Sequence, residues 1–113
     1  MLDELPACPV EVTLSMIGNK WKVLILRELF RGTQRFSELK RELKGVTQKM
    51  LTQQLRDMEN SGLVSRKIYP VVPPKVEYSL TPLGSTLKPI LDAMDAWGSS
   101  YREYCAEQER AAH

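Results

Sequence analysis

The chain has 113 residues, of which 42% are hydrophobic and 27% charged, a composition typical of one ordinary globular domain rather than a disordered or fibrous protein. Its longest apolar run, WKVLIL, is far shorter than the roughly 18–20 residues of a membrane span. The acidic start MLDELPACPV lacks the layout of a secretion signal. We therefore expect a cytoplasmic protein whose cysteines, Cys8 and Cys105, are reduced thiols.

Charge is unevenly distributed along the chain, although the formal net charge is only +2. Residues 20–75 contain 13 Lys and Arg against 5 Asp and Glu, whereas the two flanks together contain 3 against 9. A basic middle between acidic ends is typical of a polyanion-binding centre whose ends have a different task.

Two helices are predicted in the first part of the chain. Pro9 can open the first and Gly18 can end it, because proline at the first helical position sacrifices no hydrogen bond. The second should run from about residue 19 to residue 30 and stop at Gly32. One face of the first helix carries Val10, Leu14 and Ile17. The side chains expected to be buried in the second are Trp21, Leu24, Ile25, Leu29 and Phe30.

Two further helices should follow, separated by a glycine turn. A short third helix ends at Gly45 and is marked by Phe36, Leu39 and Leu43. The fourth helix begins after Thr47, a favourable N-cap, and stops at Gly62, where glycine allows the left-handed conformation.

After Gly62 the hydrophobic pattern changes to a period of two. The segments LVSRKIYP and KVEYSL alternate and are rich in β-branched and aromatic residues, which predicts two strands. The intervening PVVPP cannot form a two-residue hairpin, so it should project as a stiff loop. The inward-facing side chains are expected to be Val64, Ile68, Val76, Tyr78 and Leu80.

A long C-terminal helix completes the chain. Thr81 can cap it with Pro82 at its first position, and Pro89 should kink or split it near its start. Its apolar series continues for over five turns and consists of Leu83, Leu87, Ile90, Leu91, Met94, Trp97, Tyr101 and Tyr104.

The order of elements predicts a mainly α fold with a small β-hairpin wing, a winged helix-turn-helix. We treat residues 1–113 as one such domain, with a DNA-binding core at about 19–81 and dimerisation helices at about 8–18 and 82–108. In this fold the fourth helix lies where a recognition helix enters the major groove of DNA.

Several spaced blocks of the sequence are similar to one known family. The blocks CPVEVTLSMIGNKWKVLILREL, FSELKRELKGVTQKMLTQQLRDMENSGLVSRKIYPVVPPKVEYSLTPLG and AMDAWG resemble HxlR-type regulators of the wider MarR group over about residues 8–100. The resemblance implies a homodimeric DNA-binding transcriptional regulator. One departure is Asn19, where the family more often has a second glycine; we expect little effect, since asparagine is also a good N-cap.

The candidate contacts to double-stranded DNA lie on the fourth helix and the wing. Amides can pair with adenine and Arg or Lys with guanine, while helix N-termini attract phosphate. A solvated polar helix face and cations that guard a strand edge against aggregation are the alternatives. The candidates are Thr47, Gln48, Lys49, Thr52, Gln53 and Arg56 on the helix, Arg66, Lys67 and Lys75 at the wing, and Lys20 and Arg35 as phosphate contacts.

The apolar stripe of the C-terminal helix is longer than one small core requires. Together with the first helix it is expected to form a homodimer interface, as the resemblance also implies; ordinary core packing is the alternative. The candidate interface residues are Leu14, Ile17, Leu91, Met94, Trp97 and Tyr101.

Cys8 is a candidate redox sensor. It precedes Pro9 and so falls at the N-cap of the first helix, where free N–H groups favour a thiolate, whereas Glu4 and Glu11 oppose it. From the residues alone, a small half-buried apolar role is equally compatible. The resemblance favours the sensor, because several HxlR-type regulators carry a sensing cysteine at the matching position, and it leaves Cys105 as a possible disulfide partner.

Nothing in the sequence predicts catalysis, a metal site or a cofactor. The single histidine is His113, the two cysteines are 97 positions apart, and the six glycines form no phosphate-binding motif. The predicted function is a sequence-specific regulator on a palindromic operator, with any small-molecule effector unknown. The alternatives are a winged-helix module that binds protein instead of DNA, and a small enzyme or RNA-processing domain.

Overall fold

A computed structural model describes residues 2–112; His113 lies outside the described residues. A 3₁₀ turn at Leu2–Glu4 precedes six helices and three strands. The elements are α1 (Pro9–Ile17), α2 (Lys20–Leu29), β1 (Gln34–Arg35), α3 (Phe36–Glu42), α4 (Gln48–Asn60), β2 (Val64–Tyr69), β3 (Lys75–Leu80), α5 (Pro82–Ser85) and α6 (Lys88–Ala112). The predicted fold class, mainly α with a small β wing, is confirmed.

Helix α2 lies at the centre of the fold and contacts α1, α3, α4 and β3. Ile25 and Leu29 are buried as predicted, but Trp21, Leu24 and Phe30 are only partly buried. Leu26 and Glu28, which were not predicted, are buried instead. The reason is that partners on several sides of α2 enclose more than the single stripe that a surface helix buries.

Buried Glu28 connects α2 to the segment that follows it. Its carboxylate accepts a hydrogen bond from Nε of Arg27 at 3.0 Å and lies 3.6 Å from Nη1 of Arg31. Its backbone oxygen accepts from Nε2 of Gln34 at 2.6 Å. These contacts hold Gln34 in place for pairing with β3.

The helix-turn-helix consists of α3 and α4. The backbone N–H of Arg35 donates to Oε1 of Glu38 at 2.8 Å at the start of α3, and Thr47 caps α4 by accepting from the backbone N–H of Met50 at 3.0 Å. Helix α4 buries one face and ends at Asn60, and Gly62 two residues later has the predicted left-handed conformation, with a φ of +83°. The buried side chains of α4 are Leu51, Leu55 and Met58.

The three strands form an antiparallel sheet in the order β1-β3-β2, with Val64 opposite Leu80 and Tyr69 opposite Lys75. The sequence did not predict β1. The prediction that Ile68 faces inward is wrong, because its side chain is 58% exposed. Its partner Val76 on the central strand β3 packs against the core, whereas Ile68 lies on the edge strand β2 and remains uncovered.

Thr81 fixes the junction between α4, the wing and the C-terminal helices. Its hydroxyl donates to the backbone oxygen of Gly62 and accepts from the N–H of Gly84 at 3.0 Å. Its own N–H donates to the oxygen of Leu63 at 3.1 Å. A Cβ at Gly84 would collide with that same Leu63 oxygen. We call Gly62, Leu63, Thr81 and Gly84 the joint.

The predicted split near Pro89 is confirmed, since α5 ends at Ser85 and α6 begins at Lys88. Backbone hydrogen bonds of 3.1 Å continue across the split, from Leu87 to Gly84 and from Leu91 to Leu87. None of the 25 residues of α6 is fully buried. Within residues 2–112, no helix is long and apolar enough to span a membrane.

Candidate nucleic-acid interface

The outer face of α4 carries the predicted reading residues together. They surround one shallow depression opposite the buried face of the helix. Among the described residues, Lys49 and Arg56 form no ion pair, so their charges are available to a polyanion. The residues that line the depression are Gln48, Lys49, Thr52, Gln53 and Arg56.

Two side-chain contacts connect this face of α4 to α2. Nε2 of Gln53 donates to Oδ1 of Asp57 at 3.1 Å, and Nζ of Lys22 lies 3.8 Å from Oδ2 of the same carboxylate. Nδ2 of Asn19 donates to Oε1 of Gln54 at 2.9 Å, while Oδ1 of Asn19 caps α2. Asn19 is the predicted cap of α2, and its side chain also bridges to α4.

Two cations of the wing lie against the ring of Tyr69. The hydroxyl of Tyr69 donates to Oε1 of Glu77 at 2.7 Å, and Nζ of Lys75 lies 3.5 Å from Oε2. The ammonium groups of Lys67 and Lys75 lie 4.9 Å and 4.8 Å from the centroid of the Tyr69 ring. The Tyr69 hydrogen bond, with the positive charges of Lys75 and Arg35, holds the pKa of Glu77 below its ordinary value.

The remaining predicted cations occupy separate positions around α4. Nε of Arg66 lies 3.3 Å from Oε1 of Glu59. The ammonium of Lys20 lies 4.8 Å from the ring centroid of Trp21, a cation–π contact. Arg35 is exposed at the start of α3. The wing cations therefore differ in how freely they can bind a phosphate, since Arg66 and Lys75 are paired with carboxylates and Lys67 is not, among the described residues.

The sequence did not lead us to predict four residues that contact Gln53, its neighbour or the wing cations: Asp57, Lys22, Tyr69 and Glu77. The spacing of Gln53 and Asp57, four positions apart on one helix, was a visible signal for a hydrogen-bonded pair. The approach of Lys22 from another helix had no local signal. The contact of Tyr69 with Glu77 follows from strand register, which pairs Tyr69 with Lys75 and Lys67 with Glu77.

A second exposed surface lies on α6. The rings of Trp97 and Tyr101 stack with centroids 5.3 Å apart, and those of Tyr101 and Tyr104 with centroids 6.0 Å apart. Trp97 is 69% exposed. An open apolar surface continues along the same helix and is lined by Pro89, Ile90, Ala93, Met94 and Trp97.

The predicted interface residues divide between this surface and the core. Leu14 and Met94 are exposed and border one cavity of about 330 Å³ between α1, α2 and α6. Leu91 is half-buried against the core. The assignment of Ile17 to a dimer interface is corrected: it is only 6% exposed, because it packs into the core of its own chain.

Both cysteines are free thiols. Cys8 is exposed at the N-cap of α1, where its side chain makes no capping hydrogen bond. Cys105 is half-buried on α6. No group of three or more His, Cys, Asp or Glu side chains in the described part of the chain could hold a metal ion.

These features define a class of protein. A short helix, a turn, a helix with an amide- and cation-rich outer face, and a cationic antiparallel hairpin together form a winged helix-turn-helix DNA-binding domain. The chain matches the HxlR-like helix-turn-helix family over residues 16–106 and belongs to that family.

Related proteins agree with this assignment. The chain is 57% identical over 105 residues to the HTH-type transcriptional regulator YkvN of Bacillus subtilis, covering 93% of this chain and 86% of that protein. It is similar to the reduced form of the redox regulator HypR, with a TM-score of 0.83 and 48% identity over 88% of this chain and 99% of that one. For the oxidised form of HypR the TM-score is 0.79, with 52% identity over 82% and 96%. This protein is therefore a DNA-binding transcriptional regulator of a non-enzymatic family.

Proposed function

We propose that this regulator binds a palindromic operator as a two-fold dimer, with α4 in the major groove and the wing against the adjacent DNA backbone. The observation that carries the proposal is the outer face of α4, where five donor- and acceptor-rich side chains surround one depression without a compensating acidic cluster. The DNA-binding core is residues 19–81, and residues 8–18 and 82–108 form the dimerisation helices. Because its target is DNA, we place its action in the cytoplasm.

The side chains of α4 fall into two groups: readers, which contact base edges, and anchors, which contact phosphates. The amides of Gln48 and Gln53 suit adenine, and Arg56 suits guanine, because these groups can make two hydrogen bonds to one base edge. Thr47 and Lys49 lie at the helix N-terminus, where unpaired N–H groups and a cation favour a phosphate. Thr52 lies between the readers and can contact either a base or the backbone.

The cations outside α4 fix the register of the protein on DNA. Lys20 and Arg35 are exposed at the starts of α2 and α3, where they can contact phosphates on either side of the groove. Arg66, Lys67 and Lys75 project from the hairpin. Such contacts carry affinity and salt dependence but no sequence information.

Two-fold symmetry is supported by the exposed apolar side chains of α1 and α6. A large apolar patch is costly in water and marks an interaction surface. A homodimer would cover it with the same patch of a second chain, and would place two α4 helices on half-sites about 34–36 Å apart. The proposed interface comprises Leu14, Leu91, Met94, Trp97 and Tyr101.

We further propose that Cys8 makes the regulator sensitive to oxidants. Its thiol is exposed at the start of α1, which belongs to the proposed interface. The similarity to HypR, a redox regulator with oxidised and reduced forms, supports this role. A disulfide between Cys8 and Cys105 of the second chain would form when an oxidant such as diamide takes up the two thiol hydrogens. Strain in α1 would then alter the spacing of the two α4 helices.

Binding to selected duplexes tests the proposed function. Duplexes enriched from a random library by the wild-type protein should contain an inverted repeat and bind with a steep salt dependence. A scrambled duplex of equal length should bind weakly. Equal affinity for both would contradict sequence reading and favour a module that binds another protein.

A further inference from the structure

Asp57 lies between a proposed reading residue and the core of the fold. It follows Gln53 by four positions, so both side chains lie on one face of α4. Each carboxylate oxygen has a different partner: Oδ1 accepts from Nε2 of Gln53 at 3.1 Å, and Oδ2 lies 3.8 Å from Nζ of Lys22. The Lys22 side chain is only 14% exposed, so it approaches from beneath α4. The carboxylate is therefore fixed from two sides.

This contact determines how the Gln53 amide is oriented. An ionised carboxylate can only accept hydrogen bonds, so the amide nitrogen, and not the oxygen, must face Asp57. One N–H of Gln53 is thereby used, and Oε1 with the second N–H remains for a base edge. An amide without this contact could rotate by 180° and exchange its donor and acceptor positions.

We propose that Asp57 is a positioning residue that fixes the Gln53 amide and so determines which base pair Gln53 selects. The inference rests on the proposed reading role of α4 and adds a residue that reads nothing itself. Adenine recognition needs a donor and an acceptor in fixed places, and a preorganised amide provides them without an ordering cost at binding.

The position of Asp57 is in turn set by the first turn of α2. Asn19 accepts from the backbone N–H of Lys22 at 3.0 Å and donates to Gln54 of α4 at 2.9 Å. Lys22 and Asn19 thus hold α4 at neighbouring positions, and α1 ends directly before them. The ammonium of Lys22 also offsets the negative charge that Asp57 would otherwise present to DNA.

Base preference measured on single base-pair variants of a selected duplex tests the proposal. Gln53→Ala first identifies the base pair that Gln53 reads, at which the affinity ratio between preferred and substituted pair should collapse. A bidentate amide is worth about 1–3 kcal/mol, or roughly 5- to 150-fold, in that ratio. Asp57→Asn keeps the shape of the side chain but can present an N–H to Oε1 of Gln53. We expect it to lower the ratio at that same base pair by about threefold or more.

Glu59→Gln is the matched control. It removes the same charge from the same helix, and Glu59 contacts Arg66 of the wing instead of Gln53. We expect it to change affinity for all duplexes alike and to leave the ratio intact. Asp57→Ala is a second variant, and thermal unfolding of each variant verifies that it is folded.

Three results would overturn the proposal, and they are distinguishable. If Gln53→Ala collapses the ratio while both Asp57 variants preserve it, Asp57 does not position the amide and the reading role of α4 stands. If Gln53→Ala itself leaves every ratio unchanged, the reading role fails and the inference fails with it. A shift that Asp57→Asn and Glu59→Gln share equally would also overturn it, because it would reflect charge alone.

Discussion

Replacing Lys67 by alanine tests whether the wing touches DNA. Lys67 is exposed on β2, its ammonium lies 4.9 Å from the Tyr69 ring centroid, and it forms no ion pair among the described residues. Lys75 contacts the same ring but lies 3.5 Å from Oε2 of Glu77. A phosphate contact by Lys75 must therefore replace an existing carboxylate contact, whereas one by Lys67 replaces only water and the ring.

The expected magnitude follows from counterion release. Each phosphate contact contributes about 0.9 to the slope of log affinity against log salt, so the loss of one contact in each chain of the proposed dimer should flatten the slope by about 1.8. Between about 50 and 200 mM salt, the wild type should then lose about twelvefold more affinity than Lys67→Ala. Lys75→Ala should flatten the slope by less, because Glu77 already offsets its charge.

Fluorescence anisotropy with a labelled duplex at several salt concentrations measures these slopes. Lys67→Ala should weaken a selected duplex and a scrambled duplex by the same factor, since phosphate contacts carry no sequence information. An unchanged slope for Lys67→Ala would show that Lys67 does not contact a DNA phosphate. Equal flattening by Lys67→Ala and Lys75→Ala would refute the reasoning from ion pairing.

Three further predictions concern reading, assembly and sensing. Gln48→Ala should lower discrimination at one base pair by about 1–3 kcal/mol in binding titrations, with a smaller effect on scrambled DNA; a uniform loss would argue against base contact. Trp97→Glu combined with Tyr101→Glu should yield a folded monomer by light scattering, because both side chains are exposed in the single chain; a persistent dimer would place the interface elsewhere. Diamide should change operator binding by the wild type but not by Cys8→Ser, and unchanged binding by wild-type protein with Cys8 demonstrably modified would remove the sensor role.

Local signals in the sequence predicted most helix ends. Proline at position 9, threonine at positions 47 and 81, and glycine at position 62 each act on the residues immediately beside them, and each occupies its predicted place. Such caps depend on hydrogen bonds within one turn, so their effect does not require knowledge of the fold.

Features that depend on distant partners were not predictable in the same way. Strand β1 has only two residues and exists through pairing with β3, so it has no periodicity of its own. Ile68 has the alternation of an inward side chain, but whether a helix covers that part of the hairpin is a tertiary question. The fixation of Asp57 by Lys22 likewise requires α2 and α4 to be packed together.

The joint connects the segment after α4 to the start of the C-terminal helices. A methyl group does not fit at Gly84, and backbone hydrogen bonds continue from α5 into α6, so we expect α4 to follow a rotation of the long helix. In haemoglobin, for example, one αβ dimer rotates by about 15° relative to the other. The molecule measures 60 × 39 × 23 Å along its principal axes. At a distance from the rotation axis of about half the 39 Å dimension, a rotation of about 15° produces a displacement of about 5 Å. Since successive base pairs of B-DNA are about 3.4 Å apart along the helix axis, a rotation of that size at α6 in the proposed dimer would move each α4 by more than one base-pair step.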